Sequence, residues 1–226
     1  MENIKDLQLK LGRVYKPDER DKMFQLSIPM EAPGIDYKYW WTNGWWGNQG
    51  ASSMCVAFSW SHWLAAGPLT QKQVRKSVDS AIDTTFLYNE AQKNDAWEGE
   101  DYNGTSVRAG AKILKREGFI SQYNWAWDIE TVKNTLLTKG PMVVGTEWRY
   151  DMFFPNKKGL ITATGDSMGG HAYLLDGINV KKKLIRIKNS WGRTWGKNGF
   201  AYISFDDMAN LISKYGEACL ATEIEK

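Results

Sequence analysis

The sequence predicts an α+β fold in which a mainly helical part, residues 36–140, precedes a mainly β part, residues 141–226, behind an N-terminal arm of residues 1–35. Three observations predict it. Between residues 52 and 140, apolar side chains recur at helical spacing in segments that open on Ser or Asp and close on Gly or Gly-Pro. After Pro141 the pattern changes to short β-branched or aromatic runs broken by Gly and charged turns. Helices early and strands late, in 226 residues of 42% hydrophobic content, suit one domain of two lobes sharing a core.

The arm is polar and carries Pro17, Pro29 and Pro33, which predicts extended chain wrapped over the fold. A loop rich in Trp and Gly follows, Trp40 to Gly50, with Trp40, Trp41, Trp45 and Trp46. It leads into a helix on which Val56, Trp60, Trp63 and Leu64 share a face. Ser52 or Ser53 is its expected cap and Gly67-Pro68 its stop. Further helices are predicted from about Ile82 to Lys93, from Ser106 to Glu117 before Gly118, and from Asp128 to Lys139 before Gly140-Pro141.

Strands are predicted over Met142–Thr146, His171–Ile178, Leu184–Asn189 and Phe200–Phe205. In the third, Ile185, Ile187 and Asn189 alternate with Arg186 and Lys188, which predicts a half-buried strand with one wet face. A hairpin through Val180-Lys181-Lys182 joins it to the second. Its geometry brings His171 beside Asn189 or an immediate neighbour.

Composition excludes some functions. A net charge of +3, with basic residues scattered apart from Lys181-Lys182-Lys183, does not favour nucleic-acid binding. No segment has the length and apolarity of a membrane span, and the first residues lack the apolar core of a signal peptide. The 12 Trp point first to packing of cores and interfaces. Two cysteines, Cys55 and Cys219, cannot form a disulfide framework, so a reducing setting, cytoplasmic or within a virus particle, is the expectation.

A nucleophilic cysteine needs a lowered pKa, a base or cation nearby, and donors for the oxyanion. Cys55, in the first turn of a helix, has amides and a helix dipole that favour a thiolate. A buried structural cysteine fits the same position. Of the two histidines, His62 lies seven residues further along that helix, a rise of roughly 10 Å, and cannot share a proton with Cys55. It reads as a surface or lobe-interface residue. His171 is the remaining partner, at the start of a strand behind Gly169-Gly170, where the backbone can be approached closely. Alone it would read as structural. An Asn189 side chain beside it can accept its second N–H and orient the ring. Trp191 can lie over that contact, although Asn-Ser-Trp-Gly on its own is an ordinary turn.

Three segments together resemble the active-site blocks of papain-like cysteine peptidases: NQGASSMCVAF (48–58), GGHAYLLDGIN (169–179) and IKNSWGRTWGKNGFAYIS (187–204). RVYKPDERD (13–21) is similar to the arm that precedes the core in bacterial and viral members, YNGTSVRAGAKILKREG (102–118) to their second helix, and VKNTLLTKGPMVVG (132–145) to the entry of the β lobe. The resemblance implies a helical lobe and an antiparallel β-barrel-like lobe with a cleft between them, and peptide or protein substrates without metal or cofactor. It implies Cys55 as nucleophile, His171 as acid and base, Asn189 as the orienting residue, and Gln49 with the Cys55 N–H as oxyanion donors. It further implies that Asn103-Gly104-Thr105 and Gly170 approach the substrate backbone. Val107, Gly145 and Ala172 would wall the pocket for the second side chain before the cut, usually apolar in this family, and Trp191 would shield the His171–Asn189 contact.

A resting thiolate beside an imidazolium, and a thioester acyl-enzyme, belong to the same expectation. The departures are Ser52 in place of a common cysteine, Ser53-Met54 in place of Gly-Ser, Val56 in place of Trp and Thr105 in place of a glycine. The family's long inhibitory prosegment has no counterpart ahead of the arm. A cell-wall amidase or transamidating enzyme would use the same thiol chemistry, and a catalytically silent homologue in a larger, for example viral, assembly would share the fold.

Overall fold

Helices begin where a side chain can accept their free amides, and three of the observed helices do so with the residue that precedes them. Ser106 Oγ accepts from the Ala109 amide at 3.1 Å, Asp128 Oδ1 from Thr131 at 2.8 Å, and Ser204 Oγ from Asp207 at 3.0 Å. The structure is a computed structural model that describes residues 3–8, 10–27, 38–41, 45–69, 82–94 and 103–224. The predicted boundary between arm and domain, near residue 35, lies outside them. The helices are α1 (Ile4–Gln8), α2 (Cys55–Ala66), α3 (Thr84–Asn94), α4 (Val107–Arg116), α5 (Ile129–Thr138) and α6 (Phe205–Ser213).

Helix α2 departs from the capping rule. Neither Ser52 nor Ser53 caps it: Met54 holds the cap position with no side-chain bond, and the Ser52 hydroxyl donates to the Gln49 carbonyl. The first amides of α2 are therefore left for other groups, and Cys55 is its first residue.

The strands are β1 (Lys38–Trp40), β2 (Ile120–Ala126), β3 (Met142–Arg149), β4 (Ser167–Asn179), β5 (Leu184–Lys188), β6 (Phe200–Ser204) and β7 (Glu217–Glu223). They form one antiparallel sheet in the order β2-β7-β3-β4-β5-β6, with β1 added to β4. Strand alternation sends Val143, Leu174, Cys219 and Ala221 into a core with α2, α3 and α4. Met142, Val144, Leu175 and Leu220 enter a second core with α5 and α6. The expected barrel-like closure is not observed, because the terminal strands β2 and β6 do not pair and each face of the sheet is covered by helices.

The β4–β5 hairpin pairs Leu175 with Ile187 and, past a bulge between Leu175 and Gly177, Ile178 with Ile185. Its predicted wet face is dry. Arg186 is 7% and Lys188 0% exposed, because the Trp-rich loop covers them. The Arg186 guanidinium lies 4.6 Å from the centre of the Trp40 ring and donates to Asp176 at 2.7 Å, and the Lys188 ammonium sits 4.0 Å over Trp46. Burial drives the Asp176 carboxyl upward, and Arg186 draws it back down.

Candidate active site in an occupied cleft

The thiol of Cys55 is fully buried, and backbone N–H groups of Ala172, Val56 and Gly12 turn toward it. Two of these come from distant segments. Ala172 follows His171 in β4, and Gly12 belongs to the N-terminal arm.

His171 is held between two indoles. Its ring stacks on Trp191 at 4.8 Å and 26°, and Trp148 meets it edge-on at 4.8 Å. Nε2 of His171 lies 2.8 Å from Asn189 Oδ1. The same oxygen accepts the Ser190 amide at 2.8 Å, which fixes which end of the Asn189 side chain faces the ring. Because that end is an acceptor, Nε2 carries the proton of a neutral ring and Nδ1 carries the lone pair. Nδ1 is buried with no hydrogen-bond partner.

Gln49 is locked by its backbone and both ends of its side chain. Its amide N–H donates to the Ser190 carbonyl at 2.8 Å, and Oε1 accepts from the Ser190 hydroxyl. Nε2 donates to the carbonyls of Ser52 at 2.6 Å and Lys10 at 3.0 Å.

Lys10 opens a stretch of the arm that runs through the site. The amides of Gly12 and Arg13 donate to the Gly170 carbonyl at 3.1 and 3.0 Å. Thr105 donates to the Gly12 carbonyl and accepts from the Val14 amide, each at 3.0 Å. A Cβ at Gly104 would stand 2.2 Å from the Gly12 oxygen, and one at Gly170 2.1 Å from the Arg13 oxygen, so both glycines are required by the passing backbone. The arm thus enters the cleft, whereas the sequence suggested only that it wraps the surface. Leu7 ahead of this stretch and Leu11 within it anchor the arm in the α5–α6 core, and Asp18 pairs with Arg108 at 2.8 Å beyond it.

The side chain of Arg13 fills the pocket bounded by Val107 and Gly145 and donates to Glu217 through Nε at 3.0 Å and Nη2 at 2.9 Å. Ala172 lies beside Gly145 in register, and Asn103 is exposed. Neither Arg13 nor Glu217 was singled out from the sequence. The available signal was a lone acidic residue opening the apolar run Ala218-Cys219-Leu220-Ala221.

Burial under the arm controls the charges. It pushes the Cys55 thiol up to about 12 against the three amides, and His171 down to about 4 against the Asn189 bond. Burial of this kind favours the neutral thiol and the neutral ring while the arm is docked. Desolvation thus works against the expected resting ion pair for as long as the arm covers it. His62 is not at the surface. It is buried in α2, accepts the Gly47 amide at 3.1 Å and meets Trp45 at 4.8 Å, and burial keeps it well below its ordinary pKa. Cys55 and Cys219 are both unpaired.

Known proteins share this architecture. The chain superposes on xylellain, a cysteine protease from Xylella fastidiosa, with TM-score 0.76 and 20% identity, over 96% of this chain and 97% of that one. It superposes on procathepsin B S9 of Trypanosoma congolense with TM-score 0.75 and 13% identity, over 99% and 89%. In sequence it is 24% identical over 259 residues to an uncharacterized peptidase C1-like protein of Acanthamoeba polyphaga mimivirus, covering 91% of this chain and 77% of the viral one. The family model described as papain family cysteine protease matches residues 68–218, a span that holds His171, Asn189 and Glu217 and begins beyond Cys55. With most of its length matched by that model and its fold shared with cysteine proteases, the chain belongs to the papain family of cysteine proteases.

Proposed function

We propose that this peptidase is an endopeptidase that cleaves peptide bonds through Cys55, His171, Asn189 and Gln49. One observation carries the reading: a peptide backbone already lies over the buried thiol, with the Gln49 amide donating to one of its carbonyls. Residues before 140 supply Cys55 and Gln49, and residues after 141 supply His171 and Asn189.

The arm leaves first, because its backbone fills the space a substrate backbone needs. Rehydration then brings both pKa values back toward the ordinary range, and the proton passes from the thiol to Nδ1 of His171. The sulfur attacks the scissile carbonyl carbon, and the negative charge moves to the oxygen. Gln49 Nε2 and the Cys55 N–H donate to that oxyanion. Its collapse breaks the C–N bond, His171 protonates the leaving amine, and a thioester remains. Water gives a proton to Nδ1 as its oxygen attacks the thioester, and the released acid leaves the thiol restored. Asn189 keeps the ring aligned through both transfers, and Trp191 covers it. Two unpaired thiols and the viral relative suit a reducing setting, cytoplasmic or within a virus particle.

The test is to trap the thioester. Acid quenching during turnover of a peptide ester should leave an acyl group on the fragment containing Cys55. An acyl group on Cys219, or turnover with no acylated protein on the millisecond scale, would contradict the assignment.

A further inference from the structure

Away from the cleft, the chain gathers five lysines around one hollow of about 510 Å³, a size ordinary for a small-molecule site. Strand register builds its floor. Trp40 on β1, Gly177 on β4, Arg186 on β5 and Tyr202 on β6 form one cross-strand row, and neighbours in such a row point to the same face. Lys38, two residues before Trp40, shares that face, and its ammonium lies 5.2 Å from the centre of the Trp40 ring. Asn179, which pairs with Lys38, accepts the Lys182 amide at 3.0 Å and so turns Lys182 back over the hairpin. On the other side, the Asn156 side chain accepts the amides of Lys158 and Leu160 at 2.8 and 3.1 Å. The segment so curled bonds through Gly159 and Ile161 to Tyr202 along the outer edge of β6, with Lys157 and Lys158 on the rim. Lys197, in the turn ahead of β6, closes the ring: a Cβ on Gly159 would stand 3.2 Å from the Lys197 Cβ.

Charge distinguishes this hollow. Lys38, Lys157, Lys158, Lys182 and Lys197 line it, no carboxylate does, and none of the five is paired with an acidic side chain among the described residues. Arg186 in the floor row is buried and already matched by Asp176 at 2.7 Å. The whole chain carries a net charge of only +3, so five unmatched cations here are a local concentration and not a share of general basicity.

We propose that this hollow binds a small anion carrying several phosphates. A lysine ammonium is a point charge with rotatable donors, which suits phosphate oxygens, and the planar guanidinium fork that matches a carboxylate is missing from the lining. One phosphate group supplies at most about 2 negative charges at neutral pH. A single one therefore leaves most of the ring unmatched, whereas a cluster matches it. The aromatic floor, with Trp40 and Tyr202 edge to face at 6.1 Å, is a low-dielectric wall that focuses the field of the lysines into the hollow. A nucleic-acid strand or a bilayer presents its phosphates along an outer surface, which lysines set around a concavity do not follow. The site shares no residue with the cleft, so it stands or falls apart from the peptidase reading.

The experiment is calorimetric titration of the full chain at physiological ionic strength with inositol hexakisphosphate, inorganic tripolyphosphate and inorganic phosphate. One of the first two should bind on the order of 100-fold more tightly than inorganic phosphate, and which one does so tells a ring-borne cluster from a linear chain. Lys158→Gln combined with Lys197→Gln, both exposed, should weaken that binding by on the order of tenfold. Lys115→Gln combined with Lys139→Gln removes the same charge elsewhere on the exposed surface and should leave it within about twofold. Affinities within a few-fold of inorganic phosphate overturn the proposal without any variant having to fold. Equal weakening in the two double variants overturns it too, as does tighter binding of polyuridylate or of phosphatidylserine vesicles at equal phosphate concentration.

Discussion

The side-chain amide of Gln49 donates to the backbone carbonyl of Lys10 at 3.0 Å, so the group proposed to receive the oxyanion is already occupied by the protein's own chain. Gly12 covers the thiol, Arg13 fills the neighbouring pocket, and Thr105 pairs with Gly12 and Val14 on either side of Arg13. The first consequence is that the arm and a substrate exclude each other.

Weakening the arm should therefore expose Cys55. Arg13→Ala removes one partner of a buried ion pair, a loss of about 3–5 kcal/mol before relaxation. Part of this is recovered when Glu217 takes up a proton. Labelling of Cys55 by a small thiol-directed electrophile should accelerate by on the order of tenfold or more. An unchanged rate would mean that Leu7, Leu11 and the Asp18–Arg108 pair hold the arm without help from Arg13.

Gln49→Ala should lower kcat by roughly two to three orders of magnitude, the scale of one lost oxyanion donor. It should also speed labelling of Cys55, since it breaks the bond to Lys10. Lost turnover with unchanged labelling would separate the two roles.

The buried imidazoles set the direction of the pH dependence. His171 falls from 6.5 unfolded to about 4 folded, so between those values the unfolded chain binds more protons. Stability is constant from this source above about pH 6.5, and falls as the pH drops toward 4, by up to about 3 kcal/mol. His62, also buried and lowered, adds a second proton in the same direction. The raised carboxyls of Asp176 and Glu217 act in the opposite sense, so the histidine is read by difference: unfolding free energies from urea, followed from pH 7 to 4.5, should fall more steeply on acidification in the natural protein than in His171→Gln, by up to about one proton. At the alkaline end Cys55, raised to about 12 from 9.0, makes stability fall as the pH rises through that interval. The same pH dependence in the natural protein and in His171→Gln would contradict the burial of His171.

Asp176→Ala should destabilise the fold by about 3–5 kcal/mol, because it strands Arg186 beneath Trp40 and Phe200. Equilibrium urea unfolding would measure it, and a loss below about 1 kcal/mol would indicate that water reaches the guanidinium.

Local signals carried much of this architecture in the sequence. The α4 and α5 termini were legible because Ser106 and Asp128 act within three residues of themselves. His171 and Asn189 were brought together by a hairpin whose short turn sets its register, and the bulge beyond Leu175 moved that register only slightly. What stayed hidden depends on contacts between distant segments. Arg186 and Lys188 alternate with apolar residues as a wet face does, and only the folded Trp loop dries them. Strand β2 gains its identity from pairing with β7, nearly a hundred residues away, and neither was read as a strand. The burial of Cys55 and His171 is completed by an arm whose entry into the cleft leaves no trace in the three motifs that surround it.

The most direct test of the central claim is peptide hydrolysis by Cys55→Ala, compared with the natural protein and with Cys219→Ala, after arm displacement has been verified in each by proteolytic clipping. The account predicts turnover in the natural protein and in Cys219→Ala, and none above background in Cys55→Ala. Undiminished turnover by Cys55→Ala would contradict it.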